Sequence, residues 1–159
     1  MIGAIQEWLE LNPNSPSGLV WLKSTRNGKG KKGAPALACV NSNGYYFGRL
    51  QGRGLLAHRA VFALLHGYLP EEIDHLDGNR LNNAPSNLRA VTRCENQHNQ
   101  RRATGVCQDK RTGKWRAQIR LKGVRYYLGM YTTEKEARAA YVLAKKVMHP
   151  TVPESYYAD

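Results

Sequence analysis

The chain has 159 residues, enough for one ordinary domain or two small ones, and carries a formal net charge of +12. Its longest apolar run, Ala60 to Leu65, falls far short of the ~20 residues a membrane-spanning helix needs. So basic a balance favours a polyanionic partner, nucleic acid ahead of an anionic membrane. The excess is uneven, with 11 Lys/Arg against 7 Asp/Glu in residues 1–100 and 13 against 5 in residues 101–159. Met1 to Glu7 lacks the basic start of a signal peptide. Cys39, Cys94 and Cys107 form no Cys-x-x-Cys pair, which argues against a zinc knuckle. They read as buried or indifferent thiols in a reducing compartment, and cytoplasmic localisation is the expectation.

In chain order, Ile2, Ile5, Trp8 and Leu9 mark a short amphipathic helix, stopped by the Pro- and Asn-rich stretch 12–18. Leu19 to Leu22 is a strand candidate. Residues 26–33 form a basic Gly-rich loop without the spacing or the Ser/Thr of a phosphate-binding loop, and read as solvated. Gly44 to Leu50 is a second strand, turning at residues 51–54 into Leu55 to Ala57. His58 to His66 reads as a helix closed by Gly67. Glu72 to Asp74 is a short strand, residues 79–86 a turn-rich loop and Leu88 to Val91 another strand. Thr92 and Glu95 have the spacing of a capping box, so a helix starts there.

The chemistry concentrates in Ile73-Asp74-His75-Leu76-Asp77-Gly78-Asn79, then Asn87, then Glu95-Asn96-Gln97-His98-Asn99. Phosphodiester hydrolysis needs a base for the attacking water and positive charge against the transition state. His75 suits the base, since an imidazole of ordinary pKa near 6.5 is largely neutral at pH 7. Asp74 and the Asn96 amide oxygen suit a hard divalent cation. On a regular strand Asp74 and His75 face opposite ways, so one site can use both only if they sit at the strand's end. His98 lies about 200° around a helix from Asn96 and cannot share its face, whereas Asn99 can act in support. Asn79, Asn82 and Asn83 read as turn formers.

This ensemble resembles the HNH endonucleases, in the variant whose last histidine is asparagine. The stretch Ala57-His58-Arg59 through Gly67-Tyr68-Leu69-Pro70 is similar to the segment preceding the site in phage-type homing members. The resemblance implies a ββα-metal fold, His75 as general base, Asp74 and Asn96 on Mg²⁺ or Mn²⁺ rather than Zn²⁺, and Asn87 bridging the loop that presents the histidine. His58 is open between a contact to the DNA backbone and simple packing at the helix start. Arg59 and His66 are weaker candidates.

After residue 101 the composition shifts. Trp115 to Lys122 alternates, with Trp, Ala, Ile and Leu on one face and Arg116, Gln118, Arg120 and Lys122 on the other. Gly123 turns the chain into Val124 to Gly129. Thr132 or Thr133 then caps a helix from Glu134 to Met148, with Ala137, Ala140, Tyr141, Ala144 and Val147 at helical spacing. This segment looks like an APETALA2-type DNA-binding domain, whose three-stranded sheet enters the major groove. By position the resemblance carries DNA contact to Gln118, Arg120, Arg125 and Tyr127, and the alternation adds Arg116 and Lys122. Cys107-Gln108-Asp109 stands where that family has an arginine-rich strand.

The expectation is therefore an α+β chain. Residues 1–101 form a ββα-metal nuclease domain with an amino-terminal extension, and residues 102–159 a small three-stranded antiparallel sheet with one helix. Together they read as a site-specific, metal-dependent endonuclease acting on double-stranded DNA in a bacterial or phage-infected cell, as a monomer or homodimer. A DNA-binding regulator that does not cut and an RNA-binding protein are the alternatives.

Overall fold

The computed structural model describes residues 1–26, 28, 30–98, 105–152 and 157, with backbone alone at 94, 97 and 98. The chain is of mixed α+β character and divides into two compact units, Met1–Val91 and Thr92–Asp159. The division drawn from sequence follows residue 101. The two differ over residues 92–101, which include the helix at 93–98 and, at 99–101, residues outside the described ones.

In the first unit, helix α1 (Ile2–Trp8) is too short to stand without tertiary support and buries Ile5. The expected helical stretch through Leu9 ends one residue early. Leu9 turns to extended backbone and begins β1 (Leu9–Leu11), which pairs antiparallel with β2 (Leu19–Trp21). The second sheet runs in the order β3 (Cys39–Val40), β4 (Tyr46–Leu50), β5 (Arg53–Leu56). Gln51 and Gly52, with φ of 49° and 80°, make the two-residue turn between β4 and β5 whose twist suits a hairpin.

Helix α2 (Ala57–His66) lies at the centre of this unit's core. Ala57, Ala60, Val61, Phe62 and Ala63 are buried on it among Ile5, Leu9, Leu19, Leu50, Leu55, Ile73 and Leu88. It ends as the sequence indicates. Gly67 takes φ 72°, which costs glycine nothing, and its N–H closes on the Ala63 carbonyl at 2.9 Å. Strands β6 (Glu72–His75) and β7 (Leu88–Val91) form an antiparallel hairpin, linked by a long loop that ends in a single 3₁₀ turn, Pro85–Asn87.

The second unit opens with α3 (Arg93–His98), so strand, strand and helix follow in the expected chain order across residues 72–98. The Thr92 N–H donates to Glu95 Oε2 at 2.8 Å, and the Glu95 N–H returns to Thr92 Oγ1 at 3.3 Å. Three antiparallel strands follow, β8 (Val106–Gln108), β9 (Trp115–Leu121) and β10 (Val124–Tyr131), with β9 central. Helix α4 (Glu134–Met148) covers one face, and Ala117, Ile119, Ala137 and Tyr141 are buried. Its cap is Thr133, in a reciprocal box with Glu136. Val147 departs from its expected place on the apolar stripe and is 80 % exposed. Six residues beyond the buried Tyr141 it has rotated about 120° off that face, whereas Lys145, four residues beyond, has rotated only about 40° and occupies the inward position.

Candidate active site

The β6–β7 register places Asp74 opposite Arg89 and His75 opposite Leu88. Ile73, Asp74 and His75 are all buried, so both faces of this short strand are covered. Arg89 donates to Asp74 Oδ2 from Nη2 at 2.8 Å and from Nε at 3.3 Å, an ion pair that orients the carboxylate. His75 is the last residue of β6, as a shared site with Asp74 requires. Beyond it the chain leaves the ladder, with Leu76 N–H donating to the Asn87 carbonyl at 2.9 Å.

The loop that follows is tied from within. Asn87 donates through Nδ2 to Asp77 Oδ1 at 2.9 Å and to the Asn82 carbonyl at 2.8 Å, while its Oδ1 accepts the Asp77 N–H at 3.0 Å. One buried amide thus closes the loop directly behind the histidine. Asp77 also accepts from the Asn79 N–H and from Asn82 Nδ2. Burial pushes its carboxyl up, but the hydrogen bonds from Asn82, Asn79 and Asn87 outweigh that and hold it below its ordinary value.

The His75 ring lies 5.2 Å from His58 edge-on and 5.9 Å from Tyr45, and its Nε2 is 3.3 Å from Asn83 Oδ1. Burial lowers its pKa below 6.5; the Asn83 acceptor and the Asp77 and Asp74 carboxylates oppose that shift, and Arg80 adds to it. Arg80 sits over Tyr45 at 5.0 Å and donates to the Asn43 carbonyl. His58, the second residue of α2, is buried, and its Nδ1 has no hydrogen-bond partner among the described residues. Burial first, then the neighbouring His75 and Arg59, push its pKa down to about 3. Both imidazoles are therefore neutral at pH 7.

Arg59 turns elsewhere, donating to the Pro70 and Glu71 carbonyls, and His66 stacks on Phe62 at 4.2 Å. Asn96 lies on α3, half-buried, in the second unit. Asn99 and the His98 side chain lie outside the described residues. Among the described residues, no three His, Cys, Asp or Glu side chains stand together as a metal cage.

On the β8–β9–β10 sheet, Arg116, Arg120, Arg125 and Tyr127 are exposed and Gln118 is half-buried. Arg120 stands directly opposite Arg125, and Gln118 opposite Tyr127. Lys122 leaves the alternation expected of it. Strand β9 ends at Leu121, and Lys122 with Gly123 (φ 47° and 84°) forms the hairpin turn, so strand parity does not set its direction. Of the thiols read as buried or indifferent, Cys39 and Cys107 are exposed. Arg116 donates to the Cys107 sulfur at 3.3 Å across the β8–β9 pair.

Sequence reasoning missed Asn83, Tyr45 and Arg89. Asn83 is indistinguishable in sequence from Asn79 and Asn82, and Tyr45 lies 30 residues from His75. Only Arg89 had a signal, since a β6–β7 register puts a cation across from Asp74.

Residues 55–98, from the end of β5 through α2, the β6–β7 hairpin and α3, match the family model described as HNH endonuclease. No curated protein and no solved structure matches the chain. The matched segment identifies the chain's activity as that of a nuclease hydrolysing phosphodiester bonds, with nucleic acid as substrate, and HNH nucleases generally use divalent metal ions.

Proposed function

From this nuclease segment we propose that the chain is a site-specific, divalent-metal-dependent DNA endonuclease of the homing type, with a ββα-metal catalytic half. The observation that carries the reading is His75, neutral at the end of β6 beside Asp74, at the start of a loop that Asn87 clamps shut. His75 takes a proton from the attacking water. The water oxygen bonds to phosphorus, the bond to the leaving sugar oxygen breaks, and that oxygen takes up a proton. Asp74 and Asn96 offer a carboxylate and an amide oxygen, hard donors that fit Mg²⁺ or Mn²⁺ and leave coordination sites for substrate. A bound cation supplies positive charge against the transition state. Arg89 fixes which way the Asp74 carboxylate points.

The second unit serves as the DNA reader of APETALA2 type, with Arg116, Gln118, Arg120, Lys122, Arg125 and Tyr127 in contact with the duplex. A three-stranded sheet with a basic exposed face fits the major groove. Its setting is the cytoplasm of a bacterial or phage-infected cell. A monomer with one such site nicks a single strand, and a homodimer cuts both.

Supercoiled DNA carrying random inserts, incubated with and without Mg²⁺, tests the reading. Nicked product that needs the metal and disappears in His75→Ala, with duplex affinity retained, is the expected outcome. Nicking at the wild-type rate by His75→Ala would remove the base assignment. Stronger competition by RNA than by duplex DNA would remove the DNA assignment.

A further inference from the structure

We infer that Asn83, backed by the Ser17 carbonyl, is a positioning residue that holds the proton of neutral His75 on Nε2 and leaves Nδ1 as the nitrogen facing the reaction. This rests on His75 as the base. Asn83 is 5 % exposed in a loop whose other members are mostly at the surface. Its amide has different neighbours at its two ends, with Nδ2 3.0 Å from the Ser17 carbonyl and Oδ1 3.3 Å from His75 Nε2.

A backbone carbonyl can only accept, so the NH₂ end must face Ser17. The flipped amide would set two acceptors against each other in a buried place. The Ser17 carbonyl is itself held fast. The Ser17 side chain is fully buried and donates to the Ala36 carbonyl, and the 12–18 turn is closed by Gly18 N–H on the Ser15 carbonyl at 2.9 Å. Asn83 Oδ1, an acceptor too, therefore needs a donor, and in a neutral imidazole Nε2 can donate only if it carries the proton. The lone pair is then on Nδ1.

The Asn83–His75 contact is at the long end of hydrogen-bond range, so its part is orientation and tautomer more than stability. The His58 and Tyr45 rings confine the same imidazole. The amino-terminal hairpin, outside the segment that matches the nuclease family, thereby reaches the base through one side chain, that of Asn83.

Nitrogen-15 spectra of the histidine rings in the full-length protein with Mg²⁺, read together with nicking rates above neutral pH, test this. The wild-type ring should show Nε2 protonated, with a slowly exchanging Hε2. Asn83→Ala should lose that slow proton and lower kcat by about 10–100-fold at unchanged KM, the usual cost of losing a residue that orients a working histidine. Asn83→Asp keeps an acceptor toward His75 but loses the donor to Ser17. Its second oxygen then meets the Ser17 carbonyl, so it should retain the tautomer and recover only part of kcat. A wild-type ring protonated on Nδ1 would overturn the inference. So would folded Ala and Asp variants with equal defects, the mark of a purely structural link, or an Ala variant with wild-type tautomer and rate. Nicking that survives His75→Ala would overturn the catalytic part, while the ring spectra report the tautomer lock separately.

Discussion

His58 sits 6 % exposed against the His75 ring, and its Nδ1 has no hydrogen-bond partner among the described residues, so protonating it places a charge in a buried site. Its folded pKa of about 3 lies well below the ordinary 6.5 of an unfolded chain. Between those values the unfolded chain binds a proton that the folded one refuses, so stability falls as pH drops from about 6.5 towards 3. At about 1.4 kcal/mol per pKa unit, the loss reaches several kcal/mol. The shift of His75 has the same direction and adds to it. Urea unfolding across that window should show the decline, and His58→Phe should remove its share; an unchanged acid limb in that variant would refute the assignment. At this scale the candidate residues were legible where their chemistry is narrow. Asp74, His75 and Asn87 stand out because few residue types can do their work at that spacing. Asn83 and Tyr45 do not, because an amide or a phenol gains its role only from what the fold sets against it.

The hairpin of β9 and β10 sets two guanidinium-bearing residues, Arg120 and Arg125, directly across from each other. Like charges in that position destabilise a sheet, by roughly 0.2–1 kcal/mol. Arg125→Gln should therefore raise the unfolding free energy slightly at low salt while weakening duplex binding, and should reduce the log–log salt slope by about 0.9 if one phosphate contact is lost. If Arg120 instead reads a guanine edge, Arg120→Ala should cost about 1–3 kcal/mol and relax preference at one base position. Lower stability and an unchanged salt slope in Arg125→Gln would leave the sheet face without the proposed role. Elements with strong local signals were the readable ones: α2 through its apolar stripe and Gly67, α4 through a threonine cap and helical spacing, β9 through alternation. The strands β1 and β3, three and two residues long, are too short for alternation to register, and only their partners define them. Val147 shows the converse, since helical spacing alone does not say which apolar residues a single sheet can cover.

Over the whole chain, charge and compactness tell related stories. The segment after residue 100 carries the denser positive charge, and a unit beginning at Thr92 has its own sheet, covering helix and buried centre. Composition divides the chain after residue 101 and compactness after Val91, since the capping box at Thr92 reads equally well as the end of a nuclease motif. Gly105 shows how closely that unit is built: with φ +57°, a Cβ there would overlap the Tyr141 ring. No helix among the described residues is long and apolar enough to cross a membrane.

The exposed Cys107 has a use of its own. Its sulfur accepts from Arg116 on the face proposed to meet DNA, while the exposed Cys39 belongs to the other unit. The molecule thus carries a chemical footprinting label on the proposed DNA-reading face and a second thiol on the other unit for comparison. In a Cys94→Ser background, duplex DNA should slow maleimide capture of Cys107 while Cys39 keeps its own rate, and an unchanged Cys107 rate would mean that the DNA is held elsewhere.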